Sequence, residues 1–303
     1  MSPVPTSARP QATHGPKIWR DYDQAGLDTA YDQTVWAPQM NDIRARLAAT
    51  SEAVRERIGA PTRFAYGDTP VEGLDVFRAR QPNAPIYIHV HGGGWLRGVA
   101  RDFAFAAEMF VDAGVNFVVP DFAPVSDLSG DLAALAAQVR RAIAWVHGNA
   151  ARFGGDASRL YLGGHSSGAH LAAVALTSDW ETEFGLPSSF IKGGLVISGL
   201  YDLAPARLTK EFGYVAFTDA SEAALSPQRH ADCLRAPLTV LVGGKDSPEF
   251  IRHARDFAAA VKAADGAAGL IEAPGYNHFE MSESLGNPYG PAGRAALALM
   301  GLK

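Results

Sequence analysis

The stretch GGHSSGAHL, residues 163–171, concentrates groups capable of nucleophilic chemistry. From Gly164 it matches the pattern G-x-S-x-G, with Ser166 at its centre. In a functional motif of this kind the serine occupies a sharp strand-to-helix turn, and the glycines remove side chains where backbones pass closely. The pattern therefore predicts Ser166 as the nucleophile. It also predicts that the backbone amide of Ser167, at a helix N-terminus, can bind a developing oxyanion.

A serine hydroxyl needs a base to become an effective nucleophile. Where the motif serine stands at a strand-to-helix turn of a mostly parallel sheet, the catalytic groups follow the chain order Ser, acid, His, so the base is expected after Ser166. His278, in APGYNHFEM, directly follows the last predicted strand and precedes a helix. We therefore expect His278 to be the base. The alternatives lie on a helix or a connecting segment: His170, His230 and His253.

The orienting acid must also lie just beyond a strand. Asp246, in LVGGKDSPEF, stands at such a point, before a helix that begins at a proline. Two other carboxylates compete with it. Asp202, in SGLYDLAP, is equally suited to a turn or helix cap, and Glu249 lies in a first helical turn, where a carboxylate is favoured without any catalytic role. We predict Asp246.

The stretch HVHGGGWLRG, residues 89–98, offers backbone amides for an oxyanion hole. Consecutive glycines let N–H groups approach a substrate oxygen, and we expect Gly93 and Gly94 to donate together with Ser167. His91 is expected to brace this loop. His89 and His91 form an H-x-H pair, but no H-E-x-x-H motif or carboxylate cluster accompanies it. We therefore predict no metal site.

These residues need a scaffold whose strand ends meet at one edge. Short apolar runs alternate with longer amphipathic stretches from about residue 60 onward. This alternation predicts an α/β fold with a mostly parallel central sheet and helices on both faces. FAYG and LDVFRA are expected to pair antiparallel at the sheet edge, and residues 39–58 to form an N-terminal helix. The six further predicted strands lie at 85–90, 115–120, 159–164, 193–199, 237–244 and 268–275.

Composition narrows the class of protein. The chain has 303 residues and a single cysteine, Cys233, so it cannot form a disulfide framework within one chain. Its net charge of −5 argues against a nucleic acid or an anionic membrane as a partner. We expect residues 1–17 to be a flexible arm and 18–303 a single domain with a helical cap segment at about 20–58. The N-terminus lacks the apolar core of a secretory signal, so a cytoplasmic location is expected. A homodimer is compatible with the sequence.

With these residues identified, the chain resembles the arylformamidase, or kynurenine formamidase, branch of the α/β-hydrolase fold. The resemblance spans roughly residues 30–285 and rests on blocks that occur in family order: LDVFRA, HGGGW, GHSSGAHLAA, SGLYDLAP, and DSPEFIRHARDF followed by NHFEM. It implies a triad at Ser166, Asp246 and His278. It also implies hydrolysis of N-formylkynurenine and related arylformamides, although some relatives are carboxylesterases.

The chain departs from the family pattern around the pocket. Gly94 stands where relatives commonly carry a tyrosine, so that volume is either open or filled by a neighbour such as Phe122 or Trp95. The segments YDQT (residues 31–34) and DFAPVSD (121–127) replace the family's YN-x-R and YRLAP-like stretches. We expect four aromatic residues to line the pocket: Trp95, Phe279, Phe122 and Trp36.

The sequence thus favours a cofactor-free serine hydrolase that cleaves a small-acyl amide or ester through an acyl-enzyme on Ser166, with an N-formyl arylamine as the favoured substrate. A general short-chain carboxylesterase is the alternative within this class. Two other classes stay open: a non-catalytic binding protein of the same fold, and a metal-dependent amidase that uses His89 and His91. The expected partner is a small-molecule substrate, with no nucleic acid and no membrane.

Overall fold

A computed structural model describes residues 15–302. The strands of this part of the chain form one sheet. Their bounds are β1 Thr62–Ala65, β2 Gly73–Phe77, β3 Ala84–Val90, β4 Asn116–Pro120, β5 Gly155–His165, β6 Ile191–Ile197, β7 Leu238–Gly243 and β8 Ala268–Ala273. Every predicted strand is present, with ends that differ from the prediction by a few residues.

The order across the sheet is β1-β2-β4-β3-β5-β6-β7-β8. β1 pairs antiparallel with β2, and β2 with β4, whereas all pairs from β4 to β8 are parallel. The predicted antiparallel edge and parallel centre are therefore confirmed. Since the parallel strands run in one direction, their carboxyl ends meet along one edge of the sheet, where ligands bind in such folds.

Helices cover both faces of the sheet, which confirms the predicted α/β-hydrolase architecture. Their bounds are α1 Gln24–Tyr31, α2 Gln33–Trp36, α3 Met40–Ile58, α4 Ala107–Asp112, α5 Leu132–Asn149, α6 Ser167–Leu176, α7 Trp180–Phe184, α8 Ala204–Arg207, α9 Asp219–Ala224, α10 Pro248–Ala263, α11 His278–Glu283 and α12 Pro291–Leu299. Short 3₁₀ helices occupy 100–106, 125–128, 150–153, 227–233 and 284–286.

Side-chain caps fix the first residues of α10 and α11, the two helices that begin at the carboxyl edge of the sheet. Ser247 caps α10, with Pro248 as the first helical residue. Asn277 and Glu280 form a capping box at the start of α11. Such caps satisfy amides that would otherwise lack partners. They hold Asp246 just before α10 and His278 at the first position of α11.

The N-terminal segment contains three helices, α1 to α3, within the predicted cap range of about 20–58. Of the predicted arm, residues 1–14 lie outside the described residues. At Gly15 the backbone N–H donates to the Asp23 carboxylate at 2.9 Å. None of the helices described between residues 15 and 302 combines the length and apolar character needed to cross a bilayer.

Candidate active site

Ser166 occupies the turn between β5 and α6. Its backbone has φ 58° and ψ −127°, a conformation that non-glycine residues rarely adopt. A Cβ on Gly168 would overlap the carbonyl oxygen of Val90, and one on Gly164 would overlap the carbonyl oxygen of Gly168. Both glycines are therefore required for the close passage of α6 over the sheet. The turn leaves the Ser166 side chain partly exposed to a cavity.

The structure brings the three predicted catalytic side chains into one hydrogen-bonded chain. Nε2 of His278 lies 2.9 Å from Oγ of Ser166, and Nδ1 of His278 lies 2.8 Å from Oδ1 of Asp246. Asp246 and His278 are buried, with 3% and 2% of their surface exposed. Burial strengthens the interaction of a carboxylate with an imidazole by excluding water. This geometry can deprotonate a serine hydroxyl and orient the base.

The second carboxylate oxygen of Asp246 is also bound. It accepts hydrogen bonds from Oγ of Ser198 at 2.5 Å and from the backbone N–H of Gly243 at 3.0 Å. Ser198 is fully buried and follows β6 directly. Both oxygens of Asp246 are therefore fixed, one toward His278 and one away from it.

The two rival carboxylates serve other partners. Asp202 accepts from the Ala204 amide at 3.2 Å and from Arg229 at 2.8 Å, as expected of a turn residue. Glu249 is buried but forms a bidentate ion pair with Arg252, at 2.7 and 2.9 Å.

The alternative histidines are likewise engaged elsewhere. Nε2 of His170 lies 2.7 Å from the Leu225 carbonyl oxygen, and Nε2 of His230 lies 2.8 Å from that of Ala223. His253, on α10, is fully buried, and its Nε2 lies 2.8 Å from the Tyr31 hydroxyl, so it is a packing residue.

Backbone amides without a hydrogen-bond partner among residues 15–302 lie in two segments that line the cavity together with Ser166. Gly93 and Gly94 line the cavity, and neither N–H donates to an acceptor among residues 15–302. Ser167 is the first residue of α6, so its N–H has no partner within the helix. The three amides are thus available to a substrate oxygen, as an oxyanion hole requires.

His91 lies directly beneath the glycine loop. Its Nδ1 is 3.0 Å from the carbonyl oxygen of Gly92, and its ring stacks on Phe122 at 4.3 Å between centroids. Burial lowers its pKa, so the ring is neutral at physiological pH. These contacts suit the predicted brace.

The H-x-H pair has no metal-binding surroundings. His89 is fully buried, its ring lies 6.1 Å from those of Phe103 and Phe117, and burial lowers its pKa to about 3. Residues 15–302 contain no cluster of three or more histidine, cysteine or carboxylate side chains suited to a metal ion.

A cavity of about 440 Å³ opens over Ser166 and His278. Its wall includes parts of α1, α2 and α3, so the N-terminal helical segment borders the site. Arg44, on α3, is half-buried and lies over the Phe279 ring at 4.8 Å from its centroid. Arg44 makes no ion pair with any carboxylate of residues 15–302. The wall therefore carries an arginine without an ion-pair partner among these residues, in a lining that also contains Arg97 and the carboxylates of Asp32, Asp102 and Glu211.

Only one of the four predicted pocket aromatics borders this cavity, Phe279. Trp95 is instead 1% exposed and packs against His170 and Phe212. Phe122 is buried against His91, and the Trp36 indole N–H donates to the Thr29 carbonyl oxygen at 2.9 Å. The prediction is wrong for these three because adjacency to a motif in the chain does not determine which way a side chain points.

Sequence reasoning missed several residues that surround the catalytic chain. His165 is buried, and its Nε2 lies 2.8 Å from the carbonyl oxygen of His278. Burial and the proximity of His278 hold the pKa of His165 well below its usual value. Phe250 meets the His278 ring edge-on at 4.8 Å. A signal existed for His165, which lies inside the G-x-S-x-G motif, and for Ser198, which lies near the end of the predicted strand 193–199. None existed for Arg44.

Known proteins resemble this chain along most of its length. The BD-FAE family model matches residues 74–194. Kynurenine formamidase of Danio rerio is 30% identical over 281 residues, which cover 88% of this chain and 93% of that protein. Esterase LipC of Mycobacterium tuberculosis is 27% identical over 71% of this chain and 59% of that protein. A crystal structure from Silicibacter sp. tm1040 has a TM-score of 0.75 and 26% identity, covering 88% of this chain and 96% of that one.

Proposed function

Since the chain belongs to the kynurenine formamidase family and is an ester or amide hydrolase of the α/β-hydrolase fold, we propose that it acts through an acyl-enzyme on Ser166. One observation carries this proposal: the unbroken chain from Ser166 Oγ through His278 to Asp246, with spacings of 2.9 and 2.8 Å. Side chains within hydrogen-bond distance in this order are the defining geometry of a serine nucleophile activated by a base.

The proposed reaction has two halves. In acylation, Oγ of Ser166 attacks the carbonyl carbon while Nε2 of His278 accepts its proton. The tetrahedral oxyanion binds the amides of Gly93, Gly94 and Ser167, and its collapse expels the amine or alcohol, which takes the proton from His278. In deacylation a water molecule repeats these steps with Ser166 as the leaving group. Asp246 keeps the His278 ring in the required tautomer throughout.

The favoured substrate is an N-formyl arylamine that carries a carboxylate. A guanidinium over the ring of Phe279, the residue after His278, supports this choice, because Arg44 borders the cavity without an ion-pair partner among the described residues. A planar guanidinium suits bidentate carboxylate binding. Family membership supports the formyl group, since the relative in Danio rerio is named for kynurenine formamidase activity.

A general short-chain carboxylesterase is the second candidate. Its support is the similarity to an esterase of Mycobacterium tuberculosis over 71% of this chain. The two candidates share the catalytic residues and differ only in the groups that the cavity prefers.

Turnover measurements on matched substrates test both candidates. We expect kcat/KM to be highest for an N-formyl arylamine with a carboxylate side arm, lower for the corresponding acetanilide, and abolished for all substrates by Ser166→Ala. A preference for neutral aryl esters over every formamide would favour the esterase. Turnover that survives Ser166→Ala but stops with a chelator would refute the serine mechanism, and binding without turnover would refute an enzymatic role.

A further inference from the structure

Tyr214 connects a distant segment of the chain to the glycine loop. Its hydroxyl donates a hydrogen bond of 2.7 Å to the carbonyl oxygen of Gly94. The side chain is half-buried and lines the same cavity as Ser166. Burial and the nearby charge of Glu211 raise its pKa, so the hydroxyl keeps its proton and stays a donor at neutral pH.

The backbone of the glycine loop adopts conformations that favour glycine. Gly93 has φ 134° and Gly94 has φ 65°, both in the left-handed region, and glycine restricts its own backbone less than any other residue. The bond from Tyr214 is the side-chain hydrogen bond that Gly94 receives within residues 15–302. It therefore restrains the peptide between Gly94 and Trp95, which adjoins the peptide that carries the Gly94 N–H.

Tyr214 also borders the space that a side chain at position 94 would occupy. Chain neighbours aside, the phenolic oxygen of Tyr214 is the one described atom within 4 Å of a Cβ built on Gly94, at 3.1 Å. Of the two outcomes expected, an open volume or one filled by a neighbour such as Phe122 or Trp95, neither named ring occupies it, because Phe122 stacks on His91 and Trp95 packs against His170 and Phe212. The bordering hydroxyl belongs to a residue 120 positions further along the chain.

Neighbours of Tyr214 hold it in place. Phe212 is buried and packs against Trp95 and Tyr31, with ring centroids 5.0 and 5.8 Å apart. The backbone N–H of Ala216 donates to the carbonyl oxygen of Gly130 at 2.9 Å. Because the chain is anchored on both sides of Tyr214, the ring can act as a fixed wall.

We propose that Tyr214 has two roles, as a positioning residue for the oxyanion hole and as the residue that limits the size of the acyl group. The proposal rests on the proposed function, in which the Gly94 amide binds the substrate oxygen. The acyl substituent is bonded to the carbon that carries this oxygen, so it lies beside Gly94 and meets the Tyr214 ring. In this proposal the Tyr214 hydroxyl positions the glycine loop through its hydrogen bond, and the Tyr214 ring limits the space available to the acyl group.

Two substitutions separate these roles, with p-nitrophenyl acetate and p-nitrophenyl butyrate as probes. Tyr214→Phe removes the hydroxyl only, so kcat should fall about 3- to 10-fold on both esters, the loss expected for one neutral hydrogen bond, with KM and the butyrate-to-acetate ratio unchanged. Tyr214→Ala also removes the ring and should raise that ratio about 10- to 100-fold. Tyr66→Phe is the matched control, because the Tyr66 hydroxyl also donates to a backbone carbonyl, that of Asp121 at 2.6 Å, but outside the cavity.

Contrary results are equally specific. An unchanged kcat in Tyr214→Phe would refute the positioning role. An unchanged butyrate-to-acetate ratio in Tyr214→Ala would refute the role of the ring in limiting acyl size. A change in leaving-group preference without a change in that ratio would refute it too. If Tyr214→Ala does not fold, Tyr214→Leu replaces it. Ser166→Ala is assayed in parallel. Residual turnover in Ser166→Ala would refute the proposed function. If Ser166→Ala is inactive while the Tyr214 variants keep wild-type kinetics, this inference alone is refuted.

Discussion

Replacing Ser198 with alanine tests how the acid of the catalytic chain is held. Oγ of Ser198 donates to Oδ2 of Asp246 at 2.5 Å in a fully buried setting. A hydrogen bond to a charged group contributes about 1.5–3 kcal/mol, and each 1.4 kcal/mol of barrier is about tenfold in rate. Ser198→Ala should therefore lower kcat roughly 10- to 100-fold. Ser198 has a left-handed backbone with φ 49°. Alanine also carries a Cβ, so the substitution adds no backbone strain at this residue.

The loss should stay well short of that in Asp246→Asn, because the Gly243 amide still binds the same oxygen at 3.0 Å. An Asp-to-Asn change in the best-studied triad costs about 10⁴ in kcat. Steady-state kinetics on one aryl ester and one formamide provide the measurement.

Ser226→Ala is the control, since this buried serine donates to the Glu222 carbonyl oxygen at 2.6 Å away from the cavity. Wild-type kcat in Ser198→Ala, or a larger loss in Asp202→Asn than in Asp246→Asn, would refute the assignment.

Three further outcomes follow from the described contacts. Arg44→Gln should raise KM at least about tenfold for a carboxylate-bearing formamide and leave a neutral aryl ester unaffected; equal effects on both would contradict a carboxylate contact. Burial lowers the pKa of His170 to about 4, so the unfolded state gains a proton below about pH 6.5 that the folded state does not. The free energy of unfolding should be retained above that pH and fall by up to about 3 kcal/mol towards pH 4. Urea titrations should show that the unfolding free energy of His170→Gln depends less steeply on pH than that of the wild type. An identical pH dependence in the two proteins would contradict this role of His170. Gly168→Ala should prevent stable folding, because its Cβ would overlap the carbonyl oxygen of Val90; a wild-type melting temperature would show that the passage of α6 over the sheet is looser than described.

The hydrophobic periodicity and the order of motifs along the chain were enough to predict most of the fold and the three central residues of the candidate site. Parallel strands put their carboxyl ends at one edge, so placing Ser166, Asp246 and His278 just beyond strands was enough to expect them together. The structure brings these three side chains within hydrogen-bond distance.

The pocket wall was not predictable in the same way. Trp95 and Phe122 adjoin candidate site segments in sequence, but their side chains turn into the core, which depends on packing partners far away in the chain. Tyr214 reaches Gly94 across 120 residues, and no motif marks the segment that carries it. Ser198 likewise acquires its role only when β6 and β7 lie side by side.

Covalent labelling tests the central claim most directly. A fluorophosphonate reacts with an activated serine, and peptide mapping by mass spectrometry then locates the adduct. We predict one adduct on Ser166, loss of labelling and turnover in Ser166→Ala, and retained labelling in Ser167→Ala, because Ser167 contributes its backbone amide. An adduct on Ser167, or full turnover in Ser166→Ala, would contradict the account.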